Sequence, residues 1–350
     1  MISVLVVDDS AFMRRAISTM LDNDPEIEVV GVAHNGEEAL EKVRELNPDV
    51  VTMDIEMPRM DGLTALRHIM MEMPRPVIMI SSLTNEGAEA TLKAMELGAV
   101  DFIPKQLSKV SLQIIKIEEE LQQKVKTVAR RKVRSPMAAR VRRPVSDKVV
   151  AVPKADRRAQ VRDIVAIGVS TGGPPAVQKL LSMLPEKFPA CILIAQHMPK
   201  AFTGPFAKRL NDTCAITVKE AEAGDRVKDG MVFIAPGGSH LSITQRVTHI
   251  DVTVSQEPRD SLYKPSANVL ISSVAEGVGR RGLGIILTGM GSDGLEGIRA
   301  LKERGGKALA QSDSTCVVYG MPKAIVQNGL ADGVVDIEDM AAEITNSLYN

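Results

Sequence analysis

No apolar run in the sequence approaches the ~20 residues needed to cross a bilayer, so no membrane-spanning helix and no direct membrane insertion are expected. The opening residues MISVLVVDDS lack the basic region and small-residue cleavage site of a secretory signal, which predicts a cytoplasmic protein. Cysteine is scarce. Cys191, Cys214 and Cys316 are odd in number, widely spaced and set in apolar or Thr-rich surroundings, which argues for reduced thiols and against a disulfide frame or a zinc site. The formal net charge is −1, so the chain as a whole has no pull towards nucleic acid. No G-K-[ST] occurs, and the glycine turn after Val169 does not read G-x-G-x-x-G, so that turn carries neither the usual ATP nor the usual NAD fingerprint.

What is present is a soluble globular composition, with 44% hydrophobic and 25% charged residues spread over 350 positions. That is too long for one ordinary core and suggests two domains. Residues 1–125 alternate apolar strand-like runs with helical patterns five times: ISVLVV, EVVGVA, DVVTM, PVIMI and VDFI are each followed by an amphipathic stretch. This predicts a doubly wound parallel sheet with helices on both faces, in which ligands bind outside the carboxyl ends of the strands. Those ends carry Asp8-Asp9, Asp54, Ser81-Ser82 and Pro104-Lys105. Three carboxylates on one edge repel one another unless a hard cation such as Mg²⁺ sits among them. A nearby lysine and hydroxyl complement phosphoryl oxygens, making Asp54 a candidate acceptor in phosphoryl transfer. Singly, each residue has a duller use: Asp9 or Ser10 can cap the first helix, and Lys105 can be a solvated charge. Their joint placement at strand ends of one topology speaks against that.

This segment resembles a two-component receiver domain with a flavodoxin-like fold. The resemblance implies that Asp8, Asp9 and Asp54, with the Glu56 carbonyl, hold Mg²⁺. It also implies that Asp54 in TMDIEMPRMDG is phosphorylated by a histidine kinase, with Ser81 as switch hydroxyl, Phe102 as switch aromatic and Lys105 as the family's lysine.

Residues 126–162 are expected to be a flexible basic tether. From Lys124 to Arg162 the chain carries fourteen Lys/Arg against Asp147 and Asp156, with three prolines and no sustained apolar period. Without interleaved aromatics, and lying between two folded domains, the tether reads as a solvated linker and not as a nucleic-acid-binding arm. It keeps the first domain at high effective concentration beside the second, which favours intramolecular control.

Residues 163–350 resume the strand–helix alternation and read as a second, Rossmann-like parallel domain interrupted by an antiparallel hairpin in LSITQRVTHIDVTVS, with a helical end. No helix-turn-helix is expected, so a DNA-binding output is disfavoured. The run Ile164–Val169 ends in Ser170-Thr171-Gly172-Gly173-Pro174-Pro175, a strand followed by a glycine turn and a helix start. Backbone N–H groups at that helix start can hold an oxyanion beside Ser170 Oγ. Gly168–Gly172 fits G-x-S-x-G, a short pattern that equally accommodates a phosphate-binding turn or a simple helix cap. His197 follows the strand CILIAQ, 27 residues after Ser170, and Asp293 follows LGIILTG. A serine, histidine and aspartate at equivalent strand ends provide nucleophile, base and orienting carboxylate. Their order, Ser then His then Asp, separates this site from the α/β-hydrolases.

The stretches GVSTGGP, AQHMP, IAPGGSH, ILTGMGSDG and QSDSTCVVYGMP together resemble the catalytic domain of chemotaxis protein-glutamate methylesterases. With the receiver and tether, that likeness spans essentially the whole chain. It implies phosphorylation-regulated hydrolysis of glutamate γ-methyl esters on methyl-accepting chemotaxis receptors, with deamidation of receptor glutamines, in the service of adaptation. By the same resemblance the catalytic residues are Ser170, His197 and Asp293, the oxyanion donors are the Thr171 and Met290 N–H groups, the esterase site needs no cofactor, and His240 lines the cleft. One departure is Asn268 in SLYKPSANVL, where the family pattern leads one to expect an acidic residue, with consequences for cleft electrostatics. For control, unphosphorylated residues 1–125 are expected to cover the Ser170 cleft.

Overall fold

A computed structural model describes residues 1–105, 111–129 and 160–350, and the chain divides into two compact units between Ser146 and Asp147. Most of the basic tether, residues 130–159, lies outside the described residues. The two units are taken separately.

In the first unit, five strands, β1 (Ile2–Val7), β2 (Ile27–Ala33), β3 (Val50–Asp54), β4 (Val77–Ser81) and β5 (Asp101–Pro104), form a parallel sheet in the order β2-β1-β3-β4-β5. The Val, Ile and Met side chains of β3 and β4 are all buried, as suits strands covered on both faces, while the edge strand β2 has its valines only partly buried. The order reverses between β1 and β3, the position where such sheets leave a crevice. The helices α1 (Ala11–Asp22), α2 (Gly36–Leu46), α3 (Gly62–Glu72) and α4 (Asn85–Leu97) start at side-chain caps: Ser10, Asn35, Asp61 and Thr84 each accept a backbone N–H. Helix α5 (Ser111–Ala129) continues past residue 125.

The second unit holds seven parallel strands: β6 (Ile164–Val169), β7 (Cys191–Gln196), β8 (Thr217–Glu220), β9 (Met231–Ile234), β12 (Gly282–Ile286), β13 (Lys307–Gln311) and β14 (Gly333–Val335). Their order is β14-β13-β12-β6-β7-β9-β8. The hairpin expected from period-two alternation is a separate antiparallel pair, β10 (His240–Gln245) and β11 (Ile250–Ser255). The end of the chain corrects one expectation, since it is not helical throughout: β14 adds an edge strand to β13 before the final helix. Three residues are too few to produce a readable period.

Helices α6 (Gly173–Ser182), α7 (Lys200–Thr213), α8 (Ala267–Val278), α9 (Leu295–Glu303), α10 (Met321–Gln327) and α11 (Ile337–Ser347) complete this unit. The core joins the sheet face, through Ile164, Ala166, Leu193 and Ala195, to α8 and the hairpin through Leu270, Ile271, Leu241 and Val252. Strand β6 lies at the reversal of strand order, between β7 and β12, so the residue after it stands in the crevice. Among the described residues no helix is long and apolar enough to cross a membrane.

Candidate active site and acidic phosphoacceptor site

Ser170 and His197 emerge side by side because β6 and β7 pair in register, with Val169 opposite Gln196 and the His197 N–H donating to the Val169 carbonyl at 3.0 Å. Gln196 fastens the two strand ends. Its Nε2 donates to the carbonyls of Ser170 (3.0 Å) and His197 (3.2 Å) from a fully buried position. The turn after Ser170 needs glycine: Gly172 has φ +73°, and a Cβ there would lie 2.4 Å from the Val317 side chain. Gly289 permits an equally close approach, since its Cβ would meet Ser170 Cβ at 2.8 Å. Ser170 N–H donates to the Thr288 carbonyl, and the Thr288 N–H is held in turn by Gln311 Oε1. The Ser170 hydroxyl forms no hydrogen bond among the described residues. It stands partly exposed, whereas Thr171 is buried and Met290 half-buried.

Asp293 is 7% exposed and accepts four hydrogen bonds. Oδ2 takes His197 Nε2–H at 2.7 Å and Ala267 N–H at 2.7 Å; Oδ1 takes Ser266 Oγ–H at 2.9 Å and Asn268 N–H at 3.0 Å. The carboxylate therefore caps α8, whose first-turn N–H groups favour negative charge. Burial works against its ionisation, but the donation from His197, Asn268 and Ala267 outweighs that and holds the carboxyl below its usual range. With His197 Nε2 committed to Asp293, Nδ1 is left buried and without a hydrogen-bond partner. That nitrogen is the one available to exchange a proton with the neighbouring strand end.

Tyr263 and Gln196 escaped the reading of motifs, while Asn268 and His240, both singled out in the sequence, have structural contacts that the motifs did not reveal. Tyr263 stacks on the His197 ring with centroids 4.1 Å apart and planes 11° from parallel. Asn268 acts as a structural tie. Its Oδ1 accepts the N–H groups of Gly294 (3.0 Å) and Gly297 (2.9 Å), joining α8 to the turn that carries Asp293. His240 is 1% exposed, with Nε2 on the Pro258 carbonyl at 3.2 Å, and burial pushes its pKa down. Of the two missed residues, Gln196, adjacent to His197 in AQHMP, carried a local signal, and Tyr263 carried none.

In the first unit, Asp8, Asp9 and Asp54 offer oxygens within 4.8 Å of one another. Lys105 Nζ lies 2.6 Å from Asp54 Oδ2 and 3.1 Å from Asp8 Oδ2. Burial and the Asp8 charge raise the Asp54 pKa to about 6, although Lys105 opposes them. Ser10 does cap the first helix, and its N–H also donates to Asp8 Oδ1 at 2.9 Å. Asp9 is left exposed on a cleft of about 590 Å³ that also includes Glu56, Met57, Pro58 and Asp61. The donor set fits a hard cation: three carboxylates converge, and two of them, Asp8 and Asp54, are buried with the Lys105 ammonium shared between them. Ser81 Oγ bonds the Gly87 carbonyl (3.1 Å) and the Thr91 hydroxyl (2.6 Å), facing α4. Phe102 is buried on β5, with Lys124 Nζ 5.6 Å from its ring centroid.

Fold and site define a class: a response-regulator receiver joined to a parallel α/β enzyme domain with serine, histidine and aspartate at one sheet edge. Residues 4–115 match the response regulator receiver domain family and residues 165–344 the CheB methylesterase family. Over its whole length the chain is 65% identical to protein-glutamate methylesterase/protein-glutamine glutaminase 2 of Nitratidesulfovibrio vulgaris, covering 100% of both chains. It is 63% identical to a protein-glutamate methylesterase/protein-glutamine glutaminase of Oleidesulfovibrio alaskensis, again over 100% of both. Among solved structures, the Thermotoga maritima CheB methylesterase catalytic domain superposes with a TM-score of 0.52 at 38% identity, covering 53% of this chain and 98% of that one. The chain belongs to the CheB family of chemotaxis protein-glutamate methylesterases and glutaminases.

Proposed function

We propose that Ser170, His197 and Asp293 carry out ester and amide hydrolysis on receptor side chains, under the control of phosphorylation at Asp54. As a family member the protein is a protein-glutamate methylesterase and protein-glutamine glutaminase acting in chemotactic adaptation. Its substrates are glutamate γ-methyl esters, and glutamines, on methyl-accepting chemotaxis receptors; its phosphodonor is a chemotaxis histidine kinase, and it works in the cytoplasm. The observation that carries the reading is the His197 ring, with Nε2 on Asp293 at 2.7 Å and Nδ1 unpartnered beside the strand end of Ser170.

Ser170 Oγ attacks the γ-carbonyl carbon while its proton passes to His197 Nδ1. Asp293 keeps the Nε2 proton in place and stabilises the imidazolium that results. The Thr171 and Met290 N–H groups receive the developing oxyanion. Collapse breaks the bond to the methoxy oxygen, and the Nδ1 proton leaves with methanol, or with ammonia from a glutamine. Water, deprotonated by Nδ1, then attacks the acyl-serine. Expulsion of Ser170 Oγ, reprotonated by His197, releases the glutamate side chain and restores the enzyme.

At the receiver, Asp8, Asp9 and Asp54, with the Glu56 carbonyl, are the residues that would hold Mg²⁺, which when bound offsets charge on the transferred phosphoryl group. Lys105 pairs with Asp54 and Asp8, and Ser81 and Phe102 relay the phosphorylated state to the receiver surface. The test is methanol release from methylated receptor by wild type and Ser170→Ala. The variant should fold normally and lose several orders of magnitude. Activity above a tenth of wild type in the folded variant rejects Ser170 as nucleophile.

A further inference from the structure

We infer that Tyr263 is a positioning residue for His197, a role that rests on His197 being the general base. The loop between β11 and α8 is pinned on both sides of this tyrosine. His240 is fully buried, which disfavours its charged form, and its Nε2 donates to the Pro258 carbonyl at 3.2 Å. Gly238 N–H donates to the Lys264 carbonyl at 3.1 Å, and Ser261 Oγ–H to the Tyr263 carbonyl at 3.0 Å. Downstream, Ser266 and Ala267 bond the Asp293 carboxylate itself. The loop therefore delivers the phenol ring in register with the same carboxylate that holds the imidazole.

The contact is face to face, at 4.1 Å and 11°. At that separation any rotation of the imidazole out of its plane drives a ring edge into the phenol. The Asp293 bond alone leaves such rotation open, because one hydrogen bond to Nε2 is compatible with swinging the ring about that axis. Stack and bond together set the direction of Nδ1. The phenol also reaches the turn holding Met290 and Asp293: a Cβ on Gly291 would lie 3.4 Å from the Tyr263 oxygen. An aromatic face over His197 further favours the imidazolium formed after proton transfer.

The test uses the full-length chain with methylated receptor, comparing wild type, Tyr263→Phe, Tyr263→Leu and His197→Ala. Tyr263→Leu should lose about 10- to 100-fold in kcat with KM unchanged, the scale expected when a reacting group is displaced without losing substrate contacts. Tyr263→Phe keeps the stack and should restore most of that loss. The chain has five histidines, so His197 ring protons can be assigned by difference against His197→Ala. They should be shifted upfield by the phenol in wild type and in Tyr263→Phe, and relax towards ordinary positions in Tyr263→Leu. Wild-type kcat in a folded Tyr263→Leu overturns the inference, as does a rise in KM alone, which would make Tyr263 a substrate contact. If Tyr263→Leu does not fold, unshifted His197 protons in wild type still overturn it. Activity retained by His197→Ala would instead sink the general-base reading, whatever Tyr263 does.

Discussion

Replacing Asp293 by asparagine keeps the size of the side chain and removes its charge, and the four bonds to this carboxylate specify the outcome. All four partners donate: His197 Nε2 and Ala267 N–H to Oδ2, Ser266 Oγ and Asn268 N–H to Oδ1. An amide NH₂ therefore faces a backbone N–H in either flip. If it stands in the Oδ2 position, His197 can adapt by moving its proton to Nδ1, which removes the base. If it stands in the Oδ1 position, it opposes Asn268 N–H, and the remaining amide oxygen cannot stabilise an imidazolium as a carboxylate does. Ser266 offers little relief, since its oxygen already accepts Val269 N–H at 3.4 Å.

One buried N–H left unpaired costs about 1–3 kcal/mol of stability. The loss of the orienting charge should lower kcat by about 10⁴-fold, as in other Ser-His-Asp sites, with little change in KM. The stability deficit has a pH signature. The Asp293 carboxyl is held below its ordinary value of 3.8, so its ionised form stabilises the fold above that pH and the contribution fades as pH falls through the lower folded value. The gap between wild type and Asp293→Asn should thus be full at pH 7 and narrow below about pH 4. Methanol release and denaturant unfolding at several pH values measure both effects. A folded Asp293→Asn enzyme with kcat within tenfold of wild type would refute the reasoning, and a KM effect alone would make Asp293 a binding residue.

Asn268→Leu should cost about 1–3 kcal/mol and disturb the Asp293 turn, because the Gly294 and Gly297 N–H groups lose their acceptor. Asn268→Asp retains an acceptor and should recover most of that stability in the same unfolding measurement. Mg²⁺ should raise the melting temperature of wild type, by about 1.4 kcal/mol of stability for each tenfold excess over its dissociation constant, and much less in Asp54→Ala; an equal shift in both would remove Asp54 from the cation site. Deleting residues 1–150 should raise basal esterase activity. A small phosphodonor with Mg²⁺ should raise it in the full chain but not in the deletion or in Asp54→Ala, and a deletion no more active than the unphosphorylated chain would exclude inhibition by occlusion.

The strand ends were legible from the sequence because a parallel α/β sheet sends the carboxyl end of every strand to one edge. Apolar runs locate the strands, and the first polar residue after each is committed to that edge. Asp8, Asp54, Lys105, Ser170 and His197 stand at or directly after such ends, with Asp9 next to Asp8, whereas Asp293 comes later in the turn after β12, beyond Thr288. Nothing local could say which nitrogen of His197 faces Asp293, because that follows from how α8 and the turn after β12 meet. Tyr263 belongs to an irregular loop with no period, and its place over His197 is set by anchors on His240, Gly238 and Asp293, which come from separate parts of the chain. Asn268 and His240 looked like cleft residues in sequence. Folding turned the Asn268 side chain onto two backbone N–H groups and enclosed His240 against Pro258, because buried polar groups seek whichever partners packing brings near. Position along one sheet edge is encoded strand by strand, whereas contacts between loops exist only once the layers have closed.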